Sequence, residues 1–453
     1  MKPGGAGVSL KPSPMSRPAL STRLAGAAAR HWLAGLALLV AARLAVPLAV
    51  YGAEGDTLPA VPRWDYVAQT GDAQGFYAAA REFIAAWSLL PRAAVAVVAV
   101  AAVAGVALGV REWRRRPERR AWLVVGGALG VALVAVVGIL EMKPAGAAVF
   151  GWSLLWAVPM LPLRAAGALD WDSAFAVGFV LSLAINAVGI VAAAVAGARA
   201  TGSRALGLLA GGLVAAWPLL VAPIAGESAW ENGQWFVDVG LHLYTEPLST
   251  ALAMVALALL LKERLTPLAL AGAGVLLSYA TLVKLSNGLL VAGAVLLVAR
   301  RVGPRRALPF LAGGLTFMPT VAAYWDLGYV QVFDNPQSWP TRPFSIENVV
   351  PGWRDSLVFH PHTLAIIVPL AVIGAWALRR RPWALVLLVA WVLVNAVFYS
   401  LYRNLPQHPR FLYGSLPALW ILTAAGAGLV VRTGWAAATR GRAGPGPGAR
   451  ATQ

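Results

Sequence analysis

Apolar residues in this chain gather into long runs separated by short polar punctuation. That is the pattern of helices surrounded by hydrocarbon, not of amphipathic helices around a soluble core. A bilayer-crossing helix needs about 20 predominantly apolar residues. Such runs begin near His31, Ala93, Ala121, Ser173, Ala205, Leu248, Pro267, Leu285, Ala307, Thr363, Trp383 and Phe411. They predict an all-α polytopic membrane protein, a bundle of about 11–13 transmembrane helices. One more apolar run, 145–163, is interrupted by Pro159 and Pro162. Proline removes a helix hydrogen bond and kinks the chain, so this run predicts a re-entrant or interfacial segment.

Composition agrees. Of the 453 residues, 59% are apolar and 12% charged, whereas soluble domains carry roughly 25% charged residues. A net charge of +18 would suggest nucleic acid in a soluble protein. Here the basic residues cluster in short connections, and no nucleic-acid partner is expected. Arg111, Arg114, Arg115, Arg116, Arg119 and Arg120 share one connection, Arg300, Arg301, Arg305 and Arg306 another, and Arg379, Arg380 and Arg381 a third. Alternating spans put all three on one face with both termini, and the positive-inside rule makes that face cytoplasmic. Acidic residues collect in the opposite, external connections at 51–92, 141–172, 226–246, 326–362 and 403–410. Residues 1–29 and 433–453 are expected as a disordered cytoplasmic arm and tail around a transmembrane domain at 30–432. The first apolar run is too long for a signal-peptide core and is expected to be retained. The absence of cysteine excludes disulfides, thiolate metal sites and cysteine nucleophiles.

Chemistry is therefore expected on the external face. In the first external connection, Gly71 and Asp72 read as a helix start, with Asp72 capping the amides of a segment that runs to Trp87. Phe76, Phe83 and Trp87 share one side of it, which predicts an apolar face laid along the membrane surface and a solvated edge at Arg81 and Glu82. Lys284 stands between two apolar runs at an external hairpin. An isolated charge there is costly and marks function unless it snorkels to the headgroups. Arg342, Arg403 and Arg410 are further external cations, suited to phosphate contacts or to lipid headgroups. Arg43 interrupts the first span and must face protein or water; the sequence assigns it no partner. His360 and His362 lack the helical spacing of a zinc pair. No cofactor or resident metal is expected, convergence of Asp65, Asp72 and Glu246 being the arrangement that would create a cation site.

The stretch from Asp72 to Phe83, with Tyr77 and the Arg81–Glu82 pair at their offsets, resembles the first-loop signature of the GT-C superfamily of membrane glycosyltransferases. The likeness is to the branch that uses polyprenyl-phosphate sugars, including protein mannosyltransferases and lipid A aminoarabinose transferase. Members often carry a second acid directly after the Asp; here that position is Ala73. Tyr244-Thr245-Glu246-Pro247-Leu248 is similar to a stretch of the glycolipid-anchor mannosyltransferases. His408-Pro409-Arg410-Phe411, followed by Leu416-Pro417, resembles the pattern entering the last spans of related enzymes.

The resemblance implies a GT-C-like bundle on the plasma membrane and an inverting transfer on its outer face. A sugar, mannose or a pentose such as arabinose, would move from a polyprenyl-phosphate donor to a glycan, glycolipid or protein acceptor. In that chemistry a carboxylate takes the acceptor hydroxyl's proton and cations neutralise the departing phosphate. Asp72 is the expected base. Asp65, Tyr77, Arg81, Tyr244, Glu246, Lys284, Arg342, Arg403, His408 and Arg410 are expected to bind substrate. Two other readings stay open on the residues alone: a flippase or transporter of lipid-linked sugars, and a non-catalytic scaffold of envelope assembly. Ion-coupled transporters place acids mid-membrane and often show repeated halves; this sequence shows no evident repeat and keeps its acids in external connections.

Overall fold

The computed structural model describes residues 31–52, 77–85, 119–141, 150–225, 245–324, 345–350, 361–401 and 412–442. Among them every regular element is a helix. In chain order they are α1 (Trp32–Gly52), α2 (77–85), α3 (Arg120–Glu141), α4 (Phe150–Ala165), α5 (Trp171–Thr201), α6 (Arg204–Ala225), α7 (Thr245–Leu260), α8 (Pro267–Val283), α9 (Gly288–Val302), α10 (Pro304–Leu315), α11 (Met318–Tyr324), α12 (Pro361–Ala377), α13 (Pro382–Ser400) and α14 (Leu416–Arg442).

Helix ends follow local chemistry. At the start of α5, Asp170 accepts from the Ser173 N–H at 2.7 Å while its own N–H donates to Ser173 Oγ at 3.1 Å. This is a reciprocal capping box. The helix stops at Gly202, whose φ of 71° is the left-handed C-cap conformation glycine adopts without strain. Thr266 caps α8 from its side chain, with Pro267 in the first turn, where proline loses no helix bond.

Among the described residues, four helical stretches are long and apolar enough to cross a membrane: Asp172–Thr201, Leu285–Val302, Pro382–Ser400 and Leu416–Ala437. Shorter apolar helices accompany them, α7 and α8 among the described residues. Leu133, Val180, Leu296, Ile366, Val372 and Val397 are each more than half exposed on outer faces, as helix faces turned toward hydrocarbon are. From Phe150 onward the 145–163 run belongs to α4, which contains both prolines; the residues before Phe150 lie outside the described ones. Its 16 residues reach only about 24 Å, short of the roughly 30 Å hydrocarbon layer.

Two sequence expectations are corrected. The run from Ala307 does not form one helix: α10 ends at Leu315 and α11 begins at Met318. The break is held by the Phe317 N–H, which donates to Ser278 Oγ on α8 at 2.9 Å. The last helix continues past Thr433 to Arg442, because an alanine-rich stretch follows Trp435 and alanine is the best helix former.

α7 and α8 lie side by side in the middle of the bundle. α5 packs on the other side of α7, and α3, α4, α10 and α11 pack on α8. One apolar cluster joins Met254, Leu257 and Leu260 of α7 to Leu270, Leu277, Trp391 and Ile421. A second gathers Leu248, Leu282 and Val283 with Phe83, Trp152, Trp156 and Phe175. α12 and α14 cross at Gly374 and Gly426, where each glycine lies against the other helix's backbone; small residues allow this close approach.

The far end of α7 is basic. Trp383 Nε1 donates to the Leu260 carbonyl at 2.8 Å, Arg301 donates to the Glu263 carbonyl at 3.0 Å, and Arg199 donates to the Ala258 carbonyl. The Arg301 guanidinium sits 4.5 Å from the Trp383 ring centroid. These donors satisfy carbonyls that a helix end leaves without partners. Basic residues of α5 and α9, Arg199 and Arg301, thus meet Trp383 of α13 at one end of the bundle.

Candidate functional site

The opposite end of α7 carries an acid. Glu246 occupies its first turn, where the helix dipole favours negative charge, and it is 1% exposed. Thr245 Oγ1 donates to Glu246 Oε2 at 3.2 Å, and Lys284 Nζ donates to Oε1 at 3.0 Å. Lys284 reaches it because α8 stops there. The residue is extended (φ −149°, ψ 110°), with its N–H still bonded to the Ala280 carbonyl at 2.8 Å. Asn287 holds the break: its side-chain nitrogen donates to the carbonyls of Ala280 and Lys284 at 3.0 and 3.1 Å. A break inside an apolar helix pair thus keeps its backbone groups satisfied.

Tyr399, near the end of α13, closes the other side. Lys284 Nζ lies 5.1 Å from the Tyr399 ring centroid, a cation–π distance, and the Tyr399 hydroxyl is 2.8 Å from Ser286 Oγ. The Lys284 side chain keeps 16% of its exposure against 2% for Glu246, so Lys284 is the more accessible member of the pair. Three chain segments thus build one polar cluster of carboxylate, ammonium, phenol and hydroxyl. Such a cluster can hold an anionic group beside Lys284 while Glu246 fixes the ammonium's position.

α2 belongs to the same end. Ala79, Ala80, Phe83 and Ile84 are buried against Trp152, Trp156 and Val283. Phe83 therefore packs on protein instead of lying along the membrane surface, the indole-rich start of α4 supplying the apolar partner that a bilayer was expected to supply; Phe76 and Trp87 lie outside the described residues. Tyr77 packs on Trp156 with centroids 6.0 Å apart, and the Arg81 guanidinium lies 5.7 Å from the Tyr77 ring. Glu82 is not a solvated edge. Its Oε2 is buried without a partner among the described residues, and burial raises its pKa above the ordinary carboxylate value. α4 abuts the Lys284 turn closely. Tyr279 Oη donates to the Gly151 carbonyl at 2.7 Å, and a Cβ at Gly151 would stand 2.7 Å from the Val283 backbone.

Of the site residues expected from sequence, Glu246 and Lys284 are in contact, and Lys284 is not the isolated charge its surroundings suggested. Tyr77 packs against the neighbouring apolar cluster, and Arg81, exposed, lies over its ring. Asp65, Asp72, Tyr244, Arg342, Arg403, His408 and Arg410 lie outside the described residues. Among the described residues no three acidic or histidine side chains converge as a metal site would require. Tyr399 and Ser286 are not among the residues the sequence singles out. The polar end of an otherwise apolar α13, Asn395 through Tyr399 and Ser400, was the available signal for the first. No protein-family model and no curated protein matches this chain.

Proposed function

We propose that this chain is an inverting GT-C glycosyltransferase that moves a sugar from a polyprenyl-phosphate donor to an acceptor hydroxyl at the outer face of the membrane. The observation that carries the reading is the Glu246–Lys284 pair. It is a partly accessible ammonium fixed at a helix break, at the end of the bundle opposite the arginine-lined one. A donor phosphate at headgroup level would meet Lys284 there. The acceptor oxygen attacks the anomeric carbon as the bond from that carbon to the phosphate oxygen breaks, and Asp72 takes the acceptor proton. The phosphate leaves with the bonding electron pair, and Lys284 offsets its growing charge. Glu246 keeps the ammonium oriented before the donor arrives, and the resemblance of the Asp72–Phe83 stretch supplies the base.

The test is transfer of radiolabelled sugar from polyprenyl phosphate in proteoliposomes, with wild type and Asp72→Asn. Transfer by wild type that falls by about 10²–10⁴-fold in the variant supports the assignment, that being the usual cost of losing a general base. Movement of the lipid-linked sugar across the bilayer without transfer would replace the reading with a flippase.

A further inference from the structure

A second polar site lies one turn along α7 from Glu246, at Thr250. α1, α5, α6, α7 and α14 line a partly open pocket. Arg43, 3% exposed, lines it with Asn186 and Thr250. Asn186 is held by its own helix: its side-chain nitrogen donates to the Ser182 carbonyl at 2.9 Å. Its oxygen therefore faces Arg43, which donates to it at 2.8 Å. Thr250 Oγ1 is buried on the same pocket wall and has no hydrogen-bond partner among the described residues. Trp217 and Trp420, with ring centroids 5.0 Å apart, form part of the remaining wall with aliphatic side chains.

Each part constrains the occupant. A buried hydroxyl left without a partner costs free energy that a ligand oxygen would recover. A guanidinium oriented by an amide suits an oxyanion, above all a phosphate. Indole and aliphatic walls need an apolar portion next to that oxyanion. α1, which packs on α5 and α6, exposes Leu33 and Leu38 by 78% and 70% on its outer side, so the pocket lies one helix in from the hydrocarbon. We propose that this pocket seats the phosphate of a membrane lipid, its anionic oxygens on Arg43 and Thr250 and the first carbons of its chain against Trp217 and Trp420. The site goes beyond the transfer reaction and rests only on the membrane setting of these helices.

The test uses the full chain in phosphatidylcholine nanodiscs doped with phosphatidate or with diacylglycerol of the same acyl chains, and lipid retained after release is counted by native mass spectrometry. Saturable retention of phosphatidate but not of diacylglycerol is expected, at least tenfold weaker in Arg43→Gln and Thr250→Val. Thr250→Val keeps the side-chain shape and deletes a hydroxyl with no hydrogen-bond partner among the described residues, so its melting temperature should equal or exceed wild type while binding falls. That combination separates a ligand site from a packing role, and it decides the matter if Arg43→Gln fails to fold. Equal retention of diacylglycerol, or undiminished retention in Thr250→Val, overturns the proposal. Displacement by millimolar glycerol 3-phosphate would make a soluble phosphate the ligand and overturn the lipid assignment.

Discussion

Lys284 Nζ and Glu246 Oε1 are 3.0 Å apart across 38 positions of sequence, and the two residues are unequally buried: the Glu246 side chain retains 2% of its exposure and that of Lys284 16%. The asymmetry governs what each substitution does. Removing one member of a buried ion pair is costly because the other charge is left in low dielectric, whereas removing both is far better tolerated.

Lys284→Met strands the deeper charge and should destabilise the protein by about 3–5 kcal/mol. Glu246→Gln strands an ammonium that still has water and the Tyr399 ring beside it, so its loss should be smaller. The double variant should recover much of the stability lost by Lys284→Met. Thermal melts in detergent of the two single variants and the double measure this. A double variant as unstable as the sum of its parents would mean that the two side chains do not act as a pair. Under the proposed function, Lys284→Met should also cut kcat/KM for the lipid donor by about 10²-fold, the scale of losing one transition-state electrostatic contact.

The sequence reading reached Glu246 and Lys284 separately. It could not join them, because hydropathy reports where a helix ends and not which helix ends meet. Arg43 was marked as anomalous for the same local reason, while Asn186 stands 143 positions away. The α2 face shows a further limit. Phe83 follows an amphipathic pattern whether bilayer or protein covers it, since both are apolar; only the assembled fold shows Trp152 and Trp156 in that place. Basic clustering was more legible. Charges near helix ends are fixed by chain alternation, and the convergence of Arg199, Arg301 and Arg381 near the end of α7 and the start of α13 follows from it.

The α12–α14 crossing predicts intolerance at two glycines. A Cβ at Gly374 would fall on the Leu422 carbonyl oxygen, and one at Gly426 on that of Leu370. Backbone cannot swing aside as a side chain can, so Gly374→Ala and Gly426→Ala should each cost about 1–3 kcal/mol or more. Gly130 has nothing within 4 Å of a Cβ, and Gly130→Ala should be neutral or gain up to about 1 kcal/mol of helix propensity. Melting temperatures of the three variants provide the comparison; equal behaviour at Gly130 and Gly374 would rule out the close crossing.

Two carboxylates should titrate in opposite senses. Burial raises the Glu82 pKa above 4.5 in the fold, so the stability it contributes is present below the unfolded value and is lost as pH rises through the folded one. Bonds from the Ser173 backbone N–H and side chain lower the Asp170 pKa below 3.8. Its contribution is present above the unfolded value and is lost as pH falls through the folded one. Glu82→Gln should therefore raise stability near neutral pH and leave acid stability unchanged, whereas Asp170→Ala should lower stability near neutral pH and lessen its acid dependence. Melting curves between pH 3 and 8 test both signs.

The two ends of the bundle should also lie on opposite sides of the membrane. Arg305 is exposed at the start of α10, beside the arginine-lined end of α9 and α7. Ile346, 79% exposed, is tied to the other end, because the Ser345 N–H and the Asn348 side chain both donate to the Leu401 carbonyl, at 3.0 and 2.8 Å. Leu401 follows Tyr399, whose ring faces Lys284. The chain contains no cysteine, so single cysteines can be introduced without background. An impermeant maleimide added to intact cells should label Ile346→Cys and spare Arg305→Cys until the membrane is opened, as the positive-inside rule requires for an arginine-rich end. Labelling of Arg305→Cys alone from outside would reverse the orientation and put the Glu246–Lys284 pair on the cytoplasmic face, away from an external donor and acceptor. Labelling of both would show that the two ends do not face separate compartments.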